Sequence, residues 1–115
     1  MYQSIIIEVD DNLGILTLNK PERHNALDET LLEEATAALL ALEANPRVRV
    51  IVLSATGKSF CAGADINWLK RAASNSFHDN LGDARALAGL LTTLHSISKP
   101  TIARIQGPTF GSGVG

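Results

Sequence analysis

Near its start the chain carries two short runs rich in β-branched residues, SIIIEVD (Ser4 to Asp10) and GILTLN (Gly14 to Asn19), each of strand length. Asp11, Asn12 and Leu13 lie between them and read as the turn of a hairpin. The next stretch, KPERHNAL, is polar and broken by Pro21, which makes it a loop. Asp28 then stands where an N-cap side chain would accept from the free amides of a first turn, with Glu29 at the positive end of the helix dipole. Leu31, Leu32, Ala35, Leu39 and Leu42 recur at helical spacing until Asn45-Pro46 stops them. VRVIVLS (Val48 to Ser54) is apolar at nearly every position, so a strand covered on both faces is expected there.

ATGKSFCAGAD follows as a loop, and Ile66, Trp68 and Leu69 suggest a short helix after it. SNSFHDN (Ser74 to Asn80) reads as a polar connection. A second long helix is expected beyond it, with Leu81, Ala84, Leu87, Ala88, Leu91 and Leu94 as its apolar stripe. Pro100 closes that helix by pushing Lys99 out of helical geometry. TIARIQ (Thr101 to Gln106) is then a strand, and GPTFGSGVG (Gly107 to Gly115) a glycine-rich loop. Strand, helix, strand, helix, strand is the order of βαβ crossovers, which build a mostly parallel sheet flanked by helices. Two loops, Ser54 to Asp65 and Gly107 to Gly115, follow the C-terminal ends of expected parallel strands, where open α/β sheets place ligands.

Composition narrows the partners. The 115 residues suffice for one domain, residues 1–115, and 45% apolar with 19% charged residues is ordinary for a soluble globular protein. The formal charge is -2, and the ten Lys and Arg are scattered, so nothing points to nucleic acid. The start, MYQSIIIEVDD, reads as neither a signal peptide nor a membrane span, and the expected location is the cytoplasm. A single cysteine, Cys61, fits a reducing compartment.

The familiar small motifs fail on spacing. Gly57-Lys58-Ser59 ends like a phosphate-binding loop, but Val52 stands where its first glycine is required, and Gly111-Ser-Gly113-Val-Gly115 lacks dinucleotide-fingerprint spacing. Cys61 has no histidine placed near it by sequence and reads as a small buried apolar residue. His24, beside Arg23, either touches a phosphate or is simply exposed; His78 and His95 read as helix-surface residues. Asp65 is either a catalytic acid or the N-cap of the short helix. The remaining candidate is the pair of loops CAGADINW (Cys61 to Trp68) and GPTFGSG (Gly107 to Gly113). Small residues at a strand-to-helix turn leave backbone N–H groups with little cover, and one from each loop could hold a single carbonyl oxygen as an oxyanion.

Three blocks, LNKPERHNALD, IVLSATGKSFCAGADI and KPTIARIQGPTFGSGVG, resemble consecutive blocks of the enoyl-CoA hydratase/isomerase (crotonase) family, in order and at the usual spacing. CAGADINWLKR further resembles the branch acting on methylglutaconyl-CoA or isohexenylglutaconyl-CoA. The resemblance implies a spiral of ββα units, of which this chain would be an N-terminal portion, assembled as trimers or hexamers, with no cofactor beyond the coenzyme A of its acyl-CoA substrate. It implies that the amides of Ala64 and Ser112 hold the thioester oxygen. Coenzyme A would lie along Arg23, Asn25, Ala26, Ala62, Asp65, Ile66 and Gly111, with Leu69 lining the acyl pocket. It departs from the family at Ser112, where glycine is usual, and at Gly115, where two-glutamate hydratases carry their first glutamate; the second would lie beyond residue 115. The implied activity is hydration of a branched enoyl-CoA, with isomerase, thioester hydrolase or dehalogenase chemistry, or acyl-CoA binding without turnover, as alternatives.

Overall fold

The computed structural model describes residues 2–115. Its sheet has four strands in the order β1 (Ile5–Asp10), β2 (Leu13–Leu18), β3 (Val50–Ala55), β4 (Thr101–Ala103). The first pair is antiparallel and the other two are parallel, so the sheet is mostly parallel as the element order implies. The hairpin turn is tighter than expected. Asp10 pairs directly with Leu13, and only Asp11, at φ +55°, and Asn12 make the turn. Leu13 joins the ladder because β2 is a central strand whose other edge starts at once: the Arg49 amide donates to the Asn12 carbonyl at 2.8 Å, and Leu13 faces Val50.

Helix α1 (Glu29–Ala44) begins where the sequence places it, with the Asp28 carboxylate accepting from the Leu31 amide at 2.9 Å, and it ends at Asn45. Its Leu31, Leu32, Ala35, Ala38, Leu39 and Leu42 are buried and pack over Ile5, Leu16, Leu18 and Ile51 of the sheet. Each such leucine contributes about 1.5–3 kcal/mol relative to exposure, which makes this helix-on-sheet layer the main stabilising element. The opposite sheet face is only partly covered, with Ile6 39% and Ile102 55% exposed. The uniformly apolar β3 run therefore has one buried face in this chain, not two; its Val50 and Val52 are half-buried.

Helix α2 (Ile66–Ala72) is short, and helix α3 (Phe77–Ser96) is longer than expected. Ser76 accepts from the Asp79 amide at 3.1 Å as an N-cap, which draws Phe77 to Asn80 into the helix instead of a connection. The buried side of α3 is also turned from the expected stripe: Ala86, Leu87, Leu90 and Leu94 pack on the core, while Ala84, Ala88 and Leu91 are exposed. Leucine occupies more than one side of this helix, so spacing alone could not choose between them. β4 keeps only three of six expected residues, the Arg104 amide making one last bond to the Leu53 carbonyl at 2.8 Å. No helix among the described residues is long and apolar enough to cross a membrane.

Candidate functional site

Both glycine-rich loops leave the same edge of the sheet, after β3 and after β4, and backbone bonds fasten them to each other. Residues 60–65 run between two neighbours. On one side the Leu27 amide donates to the Gly63 carbonyl and the Asp65 amide to the Leu27 carbonyl, both at 2.7 Å, while the Ala62 amide donates to His24 at 3.0 Å. On the other side the Phe60 amide donates to the Pro108 carbonyl and the Phe110 amide to the Cys61 carbonyl, each at 3.0 Å. Ala64 thus sits opposite Leu27 as a parallel bridge in which its neighbours make the bonds. Its own N–H consequently points away from Leu27.

Glycine is required where the loops touch. Gly63 has φ +89°, and a Cβ built there would lie 2.9 Å from the Phe110 carbonyl oxygen and 3.5 Å from the Gly111 Cα. Gly111, itself at φ +55°, faces the Gly63 Cα in turn. The peptides Gly63-Ala64 and Gly111-Ser112 are therefore neighbours across a backbone-on-backbone contact. Among the described residues, neither the Ala64 nor the Ser112 amide donates to a backbone carbonyl. The helix expected after the second loop is represented in these residues by a 3-10 turn, Gly111–Gly113.

The remaining candidates sort by what their side chains touch. Asp65 is the N-cap of α2, accepting from the amides of Asn67 at 2.8 Å and Trp68 at 3.1 Å, and it pairs with Arg23 Nη2 at 2.6 Å. Burial pushes its carboxyl up, but the Arg23 hydrogen bond and charge with the two helix amides outweigh it, leaving the pKa below its ordinary 3.8. That carboxylate is fully engaged and is not a proton-transfer group. Asn25 is committed to the fold. Its side chain is fully buried, accepting from the Lys20 amide at 2.7 Å and donating to the carbonyls of Thr56 at 2.9 Å and Ser59 at 3.1 Å. Ala26 and Ala62 are half-buried, and Ile66 and Leu69 stand 67% and 54% exposed on α2. Arg23, Ala26 and Asp65 line a polar depression with Glu22, Asp28, Lys20, Asn67 and Arg71. The last three were not singled out from sequence; the signal was there for two, since positions 67 and 71 share a helix face.

His24 meets Ser59, its Nδ1 3.0 Å from Oγ, through an exposed left-handed turn at φ +52°. Cys61 is buried, and removal from water raises its pKa even though the Gly63 amide hydrogen-bonds the sulfur. It reads as the packing residue the sequence suggests. Its thiol is expected to resist a disulfide reagent in the native protein and to react fully in denaturant; rapid labelling of native protein would contradict this placement. Among the described residues no three His, Cys, Asp or Glu side chains gather as a metal site requires.

The depressed Asp65 pKa sets a pH dependence. Its folded value lies below the unfolded one, so the stabilisation is complete above about pH 4 and is lost as pH falls through the folded value. Urea unfolding at pH 6 and pH 3 should show Asp65→Asn losing less stability on acidification than the parent. An identical loss in both would remove Asp65 from the account.

Below the second loop lies an apolar cavity of about 70 Å³ between the sheet, α1 and α3. Leu16, Leu18, Leu31, Leu53, Phe60, Leu90 and Leu94 form much of its wall, and Cys61, Ser112, Gly113 and Gly115 close its loop side.

Residues 8–115 match the family model described as enoyl-CoA hydratase/isomerase. A crystal structure of an enoyl-CoA hydratase from Shewanella pealeana is 34% identical, with a TM-score of 0.94 over 97% of this chain and 42% of that one. A crotonyl-CoA hydratase from Syntrophomonas wolfei is 33% identical over 119 residues, 97% of this chain and 42% of the relative. A peroxisomal Delta(3,5)-Delta(2,4)-dienoyl-CoA isomerase from Arabidopsis thaliana is 33% identical over 114 residues, 91% of this chain and 41% of the relative. The chain spans about two-fifths of the length of these relatives.

Proposed function

The chain belongs to the enoyl-CoA hydratase/isomerase family, and from that premise we propose that its two fastened loops form the oxyanion hole of an acyl-CoA enzyme acting as an enoyl-CoA hydratase. The observation that carries the reading is the Gly63 to Gly111 contact. It holds two peptides side by side whose amides, Ala64 and Ser112, have no backbone acceptor among the described residues. When water adds at acyl C3, negative charge passes onto the thioester oxygen before C2 takes its proton. Two fixed amides aimed at that oxygen lower the barrier because they need no reorganisation as the charge develops, and each is worth about 2.7–4 kcal/mol where donors have been removed. The chemistry requires no cofactor beyond the coenzyme A that the substrate carries.

Coenzyme A lies along the polar depression, over Ala26 and Ala62 and past Ile66 and Gly111, with Lys20 and Arg71 as cations toward phosphate and Arg23 held in place by Asp65. Leu69, exposed on α2, turns toward the acyl chain. Gly115 brings no carboxylate to the loops. The enzyme works in the cytoplasm on acyl chains of fatty acid type, as a trimer or a dimer of trimers. Dienoyl-CoA isomerase chemistry is the second reading, because the same hole stabilises a dienolate and a relative of similar identity carries that name.

Calorimetric titration with coenzyme A and crotonyl-CoA, run beside a hydration assay on the same preparation, tests the proposal. Crotonyl-CoA should bind more tightly than coenzyme A, and the enzyme carrying this segment should hydrate it. Binding without hydration would leave a non-catalytic acyl-CoA binder, and absence of binding by folded protein would end the acyl-CoA reading.

A further inference from the structure

The Ser112 hydroxyl oxygen is shielded from solvent and has no hydrogen-bond partner among the described residues. A buried hydroxyl left unpaired is destabilising, and such groups in native proteins normally meet a partner, which includes ligands and water. The surroundings offer none. Ser112 lines the apolar cavity beneath the second loop, and the only other polar side chain on that wall is Cys61, whose thiol already accepts from the Gly63 amide. Gly113 and Gly115, on the same wall, contribute no side-chain atom.

Ser112 is also one of the two residues whose amide is assigned to the thioester oxygen, so its hydroxyl lies three covalent bonds from that amide nitrogen. In a 3-hydroxyacyl thioester the C3 oxygen lies four bonds from the thioester oxygen, a matching separation when the acyl chain is folded back. A carboxylate is a poor match for the site, because one neutral hydroxyl in an apolar wall does not offset the loss of its hydration. A neutral oxygen needs only the single hydrogen bond that Ser112 provides.

We propose that the Ser112 hydroxyl is the contact for the neutral oxygen at acyl C3: the water before it adds, and the 3-hydroxyl of the product. Ser112 then orients that oxygen without transferring a proton, and it discriminates 3-hydroxyacyl from saturated acyl thioesters. This rests on the oxyanion-hole reading, and the test separates the two. In titrations, 3-hydroxybutyryl-CoA should bind the parent protein about three- to tenfold more tightly than butyryl-CoA, the span of one neutral hydrogen bond. Ser112→Ala should abolish that preference, and Ser112→Thr should restore it in part. Butyryl-CoA binding with no preference in the parent overturns the Ser112 assignment alone, and this comparison needs no variant to fold. A preference that survives in folded Ser112→Ala overturns it equally. Failure of both ligands to bind overturns the oxyanion-hole reading beneath it.

Discussion

Gly63→Ala is expected to reduce hydration by about 10²–10³-fold, the loss that follows removal of one oxyanion donor. Two effects act together at this residue. Its φ of +89° is a conformation in which a side chain is strained, and the new methyl would lie 2.9 Å from the Phe110 carbonyl oxygen. Backbone cannot give way as a flexible side chain would, so the two loops must separate, and with them the Ala64 and Ser112 amides. Stability should fall by about 1–3 kcal/mol, as for other overpacked sites. Gly111→Ala is the control. It has φ +55°, but its methyl would find only the Gly63 Cα at 3.8 Å. Strain of about 1–2 kcal/mol is expected there without the collision. Steady-state kinetics and thermal unfolding of both variants check the distinction: equal activity losses would show that spacing between the loops is not what matters.

Asn25→Ala is expected to lower stability by about 2–5 kcal/mol, because it removes three hydrogen bonds of a fully buried side chain and strands the part-buried Lys20 amide. The Thr56 and Ser59 carbonyls suffer less, since Gln106 Nε2 also reaches them, at 3.5 and 3.1 Å. Asn25 further holds φ +54°, a left-handed geometry that asparagine tolerates better than most residues. At this chain length such a loss corresponds to about 8–20 degrees in melting temperature. A contact to coenzyme A would behave in the opposite way, weakening ligand binding while leaving the melting curve in place. Differential scanning calorimetry together with a ligand titration on whatever fraction stays folded therefore decides what Asn25 does.

Asn25 also shows where the sequence stops being informative. The family resemblance implies that Asn25 contacts coenzyme A, and only the tertiary structure reveals that its amide ties three segments together at positions 20, 56 and 59. Local signals were reliable where the cause was local. The Asp28 cap, the Asn45-Pro46 stop and the hairpin each depend on neighbours within a few residues, and each appears in the structure near its expected place. Helix α3 failed on both counts that depend on distant packing. Its start is set by a serine cap inside a polar stretch, and its buried side by where α1 happens to lie. The pairing of the two glycine loops was legible because both follow parallel strands of one sheet. Its closeness was not, since it comes from bonds at Phe60 and Phe110 that no periodicity encodes.

The most direct measurement is a crystal structure of the enzyme carrying this segment with butyryl-CoA bound. The account predicts the thioester oxygen about 2.7–3.1 Å from both the Ala64 and the Ser112 amide nitrogens. An oxygen held by one amide alone, held by a side chain, or lying away from the Gly63 to Gly111 contact would contradict it.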